Sequence, residues 1–351
     1  MKVLRKKLIK NVKKFSPYKD GTNRLLISRA GGLELWDENL EMKMVITNEQ
    51  PWYYFNHKDL GLLQFKNGDD IHIFKKEQLI KTVPGKHYLW KNCLFGNELY
   101  IREKRDGKKS QYFLNLENFE ITESKLSFCP RLTDGTDKFI YKKGRFIECV
   151  DIDESLKWDF NVAELGKFVG KDEVMLGSIY KIDFDENSRT IIASIYAKKM
   201  AAIDIDSGEV KWIVDLCGGH SDFFIYKNEL HVISIFRQPE YYVFDIESGK
   251  CLSKVNLKET WRPFAAVENG KPTTFHWRMT QHFVNEKYIY IGGQSHRELG
   301  IFEKYTAKEV IRIPLNEALD RIPHGNAPQI LNKYIFQLDG DENLHVFEKF
   351  D

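Results

Sequence analysis

The sequence predicts an all-β fold, a β-propeller of four-stranded blades, with eight blades counted and seven as the alternative. Three observations predict it. A turn residue followed by an alternating apolar run recurs along the 351 residues. Each run is followed by a second alternating run, and most second runs lead through a polar turn into a third. With a further short apolar segment upstream of each turn residue, a unit holds four strands in about 44 residues, the length and strand count of a propeller blade.

The chain opens with MKVLRKKLIKNVKK, residues 1–14, which carries seven Lys or Arg and no acid. Leu4, Leu8 and Val12, with Ile9 nearby, fit a helical period. The last unit, however, ends in LHVFEKF from Leu344 without an outer strand, and propellers usually complete one blade from both termini. The basic segment is therefore expected to be a closing strand or a short helix. The first runs of successive units are NRLLIS (Asn23), DLGLLQF (Asp59, the weakest), NELYIR (Asn97), DKFIYK (Asp137), NSRTIIAS (Asn187), NELHVIS (Asn228), NEKYIYIG (Asn285) and NKYIFQL (Asn332). Their partners are LELWD, IHIFK, YFLNL, FIECVD, AAIDI, YYVFD, LGIFE and LHVFE. Many pairs are joined by glycine turns, such as Asn67-Gly68, Asp106-Gly107 and Gly340, where positive φ matches hairpin twist. The turns before third strands, DIDSGEVKW and DIESGKCLS among them, place a carboxylate beside turn amides and a glycine where the left-handed conformation is needed. One domain spanning 1–351 is expected.

In the most complete copy, Ala202, Asp204, Ser207, Gly208, Glu209 and Trp212 resemble the tryptophan-docking repeat of the quinoprotein-like propellers. Asp245, Ser248, Gly249 and Lys250 repeat it with Ser253 in place of Trp; the unit at Asp151 has Trp158 one residue early and no Gly. The resemblance implies that the Trp packs between neighbouring blades, so the repeat is structural, and it does not imply the quinone: the adjacent Cys-Cys pair of the quinone dehydrogenases is not in this sequence. No cofactor is expected. WD-repeat propellers are similar in shape, but LWD, at Leu35 to Asp37, occurs once.

Composition narrows the function classes. No apolar run approaches the ~20 residues of a membrane-spanning helix, and five scattered cysteines without CxxC spacing argue against a disulfide framework or zinc site. The basic start lacks the apolar core of an export signal, so a cytoplasmic protein is expected. Outside residues 1–14, 46 basic residues face 51 acidic ones. A mildly acidic body is not a nucleic-acid binder's broad basic face, and neither nucleic acid nor membrane is expected as a partner. DGDENL from Asp339 and DFDENS from Asp183 start like calcium loops, but Phe350 and Ser194 stand where a bidentate Glu is needed, so both read as turns. Phosphate-loop, hydrolase-elbow and zincin patterns do not occur.

One constellation points to a site. His220 lies eight residues before Asn228, His276 nine before Asn285 and His324 eight before Asn332. Equal offset means equal position in the blade, at the start of the innermost strand, where propellers present side chains around the channel mouth. Asp222, Trp277, Arg278 and His282 sit nearby, and His87 holds a similar place before Asn97. Imidazoles from adjacent blades suit metal binding or acid–base work near neutral pH, and cytoplasmic oligogalacturonate lyases set such a site in a propeller channel. The reading favoured is non-enzymatic: a cytoplasmic propeller that presents a loop-rich face to a protein partner, in its sharper form an immunity protein capping a bacterial toxin. The alternative is a metal-dependent lyase or hydrolase that uses the histidine sector on a small or sugar-like substrate. The aromatic stretches QPWYYFNH, GKHYLW and ETWRPF are divided between interface anchors and inter-blade core.

Overall fold

Eight four-stranded sheets, the blades of a β-propeller, account for most of the chain in the computed structural model, so eight blades, not seven, is the count. They span residues 12–47, 51–83, 87–123, 132–161, 179–215, 221–256 and 282–314, and a terminal sheet built from Gln329–Leu331, Tyr334–Leu338, Leu344–Phe350 and Lys2–Ile9. The structure describes residues 1–17, 24–57, 60–65, 70–75, 78–85, 87–105, 108–126, 130–169, 174–196, 198–217, 221–234, 239–275, 282–293, 296–317 and 327–350. The chain divides into two compact units, residues 1–10, 142–147 and 158–351, and residues 11–141 and 148–157.

Within each of the first seven blades the strands are bonded in sequence order. The recurrent runs are the second strands, from Leu25–Arg29 to Tyr334–Leu338. Side chains alternate across a strand, so one strand serves two neighbours. Leu230 and Val232 join Ile192, Ala202 and Trp212 in one cluster, while Ile233, between two blades on the other side, packs with Ile289 and Phe302. Burial on both faces is why second and third strands read as nearly continuous apolar runs. Fourth strands have one neighbour fewer, and most of the exposed large apolar side chains, such as Met42, Leu79, Ile213 and Leu252, lie on them.

The docking repeat is structural, as the resemblance implies. Trp212 Nε1 donates to the Ile246 carbonyl at 2.7 Å, and its ring covers Gly249, where an added Cβ would approach the ring to 2.6 Å at a φ of +67°. Trp158 makes the same contact in spite of its early position: Nε1 donates to Ile205 O at 3.0 Å and the ring covers Gly208. The reason is local. The turn at Asp151 closes on Ser155, one residue sooner than the turn from Asp204 to Glu209, which removes the offset.

Ser253, standing where the repeat needs Trp, bonds the Tyr305 carbonyl at 2.6 Å. The missing indole is supplied by Trp261, which follows the four-residue helix Leu257–Thr260 and donates to Ala307 O at 2.7 Å. Its ring stacks on Phe302 at 4.2 Å. Trp261 and Phe264, from the stretch ETWRPF, are thus buried between blades.

The basic N-terminus is a strand, not a helix. Lys2–Ile9 pairs antiparallel with Leu344–Phe350 and is the outer strand that the last blade lacked. Its Leu4 is exposed, while Ile9 is buried. Arg5 fastens it: the guanidinium forks onto Glu317 with both bonds at 2.7 Å and reaches His345 Nδ1 at 2.8 Å. A guanidinium only donates, so Nδ1 accepts and Nε2 carries the hydrogen. That nitrogen meets the buried Asp339 carboxylate at 2.7 Å. Burial alone would raise Asp339, but bonds from His345 and Asn343 outweigh it and hold the carboxyl below its ordinary range. Both calcium-like stretches are turns, with Asp339 accepting from the Asp341 and Asn343 amides and Asp185 from Ser188.

Candidate functional site

Antiparallel meandering puts three things at one end of every blade: the start of the first strand, the turn between second and third strands, and the end of the fourth. Asp222 is the second residue of Ser221–Tyr226 and His282 the first of His282–Val284, so both lie at this end. His87 starts His87–Phe95 in the same way. His220, His276, Trp277, Arg278 and His324 lie outside the described residues.

A recurring polar tie positions these strand starts. Near the end of a second strand a polar side chain reaches the first strand of the next blade. Ser194 Oγ donates to Ser221 O at 3.0 Å, Lys142 Nζ to Ile179 O at 2.6 Å, and Gln64 Nε2 to His87 O. Gln64, Ser194, Ser234 and Gln337 are all buried polar residues at this place in their blades. Buried donors need partners, and for Gln64 and Ser194 the partner is the first strand of the next blade, whereas Gln337 Nε2 donates to Leu338 O at 2.8 Å.

Asp222 and His282 belong to one row across three adjacent first strands. Lys181, from Ile179–Asp185, donates to Asp222 Oδ1 at 2.9 Å and to Phe223 O at 2.6 Å. The other Asp222 oxygen lies 3.8 Å from His282 Nδ1, and His282 Nε2 lies 3.3 Å from the His231 carbonyl. The His282 side chain is fully buried, whereas Lys181 and Asp222 retain 35% and 15% of their exposure. The row therefore presents an ammonium and a carboxylate outward, with the imidazole behind them. Tyr180 stands beside it, edge-on to Tyr196 at 5.3 Å. Burial, and after it the Asp222 charge, pushes the Tyr180 phenol up to about 12. Lys181 was not singled out from the sequence, although a signal was there: it precedes Asn187 by the six residues that separate Asp222 from Asn228.

Two further buried histidines, His231 and His296, are held in place by their neighbours. His231 Nδ1 meets Tyr241 Oη at 2.6 Å and Nε2 meets Glu229 at 3.2 Å; Glu229 also takes Lys304 at 2.8 Å. Burial pushes His231 down to about 3, with His282 acting in the same direction. His296 stacks on Phe264 at 5.1 Å, and burial, then the Arg312 charge, lowers it to about 4. Neither titrates near neutral pH. Among the described residues no three His, Cys, Asp or Glu side chains gather as a metal would require.

The segment that carries His276, Trp277 and Arg278 leaves a two-stranded hairpin, Phe264–Glu268 and Lys271–Phe275, inserted between two blades. The hairpin's base is firmly held. Arg312 lies 4.0 Å over the Phe264 ring and donates to Arg262 O at 2.7 Å, while Glu298 accepts from the Ala265 amide at 3.0 Å. A second hairpin, Lys167–Val169 and Val174–Leu176, occupies the corresponding place ahead of the blade at 179–215.

No protein-family model and no curated protein matches the chain. Among solved structures, the crystal structure of BamB from Moraxella catarrhalis is similar with a TM-score of 0.57 at 11% identity, covering 99% of this chain and 100% of that one. The computationally designed Ika8 protein is similar with a TM-score of 0.55 at 10% identity, covering 94% of each chain. At these identities the likeness is one of fold. With the eight four-stranded sheets, it shows a β-propeller fold.

Proposed function

We propose that this propeller is a non-enzymatic, cytoplasmic binding protein whose contact face is the end of the blades where the first strands begin, and that its partner is a protein. The observation that carries the reading is the state of the row at that end. Lys181 and Asp222 neutralise one another at the surface, and His282 is buried beneath them. A paired, pre-positioned polar row with locked imidazoles suits recognition, whereas acid–base catalysis needs an accessible group that titrates near the working pH. Five scattered cysteines without CxxC spacing suit a reducing compartment. In its narrower form the partner is a bacterial toxin and the protein its immunity protein. We further propose that residues 1–351 unfold as one domain.

Affinity capture from the native source, with metal analysis of the purified protein, tests the reading. A stoichiometric protein partner and no metal is the expected result. Substituting Trp277 or Arg278 by Ala should each weaken that partner by about 2 kcal/mol, as for anchors at an interface centre. Tight metal that is lost on replacing His220, His276 or His324, with no partner recovered, would favour the enzyme. A toxin as partner, neutralised by the purified propeller, supports the narrower form.

A further inference from the structure

The blades at 132–161 and 179–215 carry a second surface at the same end, of different character. The turn between Phe139–Lys143 and Phe146–Val150 exposes Lys142, Lys143, Arg145 and Phe146, with Phe146 at 37%. Backbone contacts gather further basic residues around it. The Val162 amide donates to Arg145 O at 3.0 Å, leading into the short helix and hairpin that carry Lys167. The Tyr196 amide donates to Ser178 O at 2.9 Å and the Leu216 amide to Lys198 O at 2.7 Å, bringing the Lys198 turn to the same end. Lys142 Nζ rests on Ile179 O, two residues from Lys181. Among the described residues the acids that stand against these bases include Glu164, exposed on the short helix, Asp159, exposed on Leu156–Asn161, and Asp215, which is taken by Lys199 at 2.5 Å. Arg145, Lys167 and Lys198 form no ion pair with any described carboxylate.

We infer that this surface docks an acidic segment of a partner polypeptide, with Phe146 as the apolar anchor among Lys142, Lys143, Arg145, Lys167 and Lys198. The inference deepens the protein-binding reading by naming the partner's chemistry, and it rests on that reading. Like-signed charges on linked turns, exposed at Lys142, Lys143, Arg145 and Lys167 and half-buried at Lys198, attract an opposite surface and speed its encounter. An aromatic beside an arginine is the composition of an interface anchor. A nucleic acid fits less well. Its phosphates need a long basic track, whereas Glu164 and Asp215 interrupt this patch and the chain beyond residue 14 carries more acid than base.

The test uses the full chain and a fluorescent glutamate-rich peptide containing one leucine, followed by anisotropy at low and at physiological salt. The unaltered protein should bind the peptide, more weakly as salt rises. The triple reversal Lys143→Glu, Arg145→Glu, Lys198→Glu should lose at least about tenfold in affinity. Phe146→Ala should weaken binding at both salt concentrations. A control reversal at the opposite end of the blades, Lys2→Glu with Lys250→Glu, should bind as the unaltered chain does, and equal melting temperatures would show that all variants fold. No binding, equal binding by the triple reversal, or stronger binding of a single-stranded oligonucleotide of equal charge would each overturn the inference. If a native partner is captured but the peptide is ignored, the protein-binding reading survives and this surface does not. If no protein partner is captured, the broader reading fails whatever the peptide does.

Discussion

The junction between the blades at 179–215 and 221–256 and the next junction, to the blade at 282–314, meet one packing requirement with different sequence. In the first, Trp212 closes a regular repeat, bonds Ile246 O and covers Gly249. In the second the repeat fails at Ser253, and Trp261, eight residues later, bonds Ala307 O from the end of a short helix. The receiving turns match. Gly249 N–H returns to Asp245 O and Ala307 N–H to Glu303 O, each at 2.9 Å, and both residues have positive φ, +67° and +51°. The comparison teaches that the receiving turn, a carbonyl above a flat slot, defines the docking site. The indole can arrive from any segment that passes it. The second junction differs in one further way, since it holds the buried histidines His231 and His296.

Removing each ring challenges the equivalence most strongly. Trp212→Ala and Trp261→Ala should each cost about 3–5 kcal/mol by equilibrium urea unfolding, as expected for a buried aromatic. Trp212→Ala should leave partner binding intact in the fraction that remains folded. A loss at Trp261 below about 1 kcal/mol would mean that Ser253 and Phe302 hold the second junction without it.

Acid should separate the two junctions. His231 and His296 are held neutral in the folded protein, down to about 3 and about 4, while an unfolded histidine takes up its proton near pH 6.5. Their contribution is complete above that pH and is lost as pH falls below it, because protons then favour the unfolded chain. At pH 5 each should have cost about 2 kcal/mol. Unfolding measured between pH 7.5 and 5 should show this slope, and His296→Gln should flatten it. A slope unchanged in His231→Gln and His296→Gln alike would place the acid sensitivity elsewhere.

Smaller effects belong to the receiving turns. Gly249→Ala should cost about 1–3 kcal/mol, since the new methyl meets the Trp212 ring at unfavourable φ. Ala307→Gly exchanges relief of that φ for a lost buried methyl, and should change stability by no more than about 1 kcal/mol by the same unfolding measurement. If the two substitutions destabilise equally, the turns are not equivalent.

Counting back from turn asparagines, which aligned His220, His276 and His324, pointed to one end of the blades, and Asp222 and His282, named as their neighbours, lie at that end. Their surroundings were not legible. Lys181 and Asp222 are 41 residues apart, and His282 and the His231 carbonyl 51. Such pairings are made by blade stacking, which no local pattern records. The same holds for Trp261: its residue type was visible, but the slot it fills is formed 46 residues away.

By itself the sequence determined the repeating four-strand unit and a count of eight, with seven as the alternative, because an alternating apolar run recurs after each turn residue. The inserted hairpins, Lys167–Val169 with Val174–Leu176 and Phe264–Glu268 with Lys271–Phe275, it did not record. The resemblance of Asp204, Gly208 and Trp212 to the tryptophan-docking repeat implied the docking of Trp212 too. Tertiary structure decided the rest. Leu4, Leu8 and Val12 keep a helical period, yet Lys2–Ile9 is a strand, because Leu344–Phe350 would otherwise leave an edge of unpaired amides and carbonyls. Local preference among a few residues is worth tenths of a kcal/mol each. A row of backbone hydrogen bonds, reinforced by Arg5 on Glu317 and His345, outweighs it.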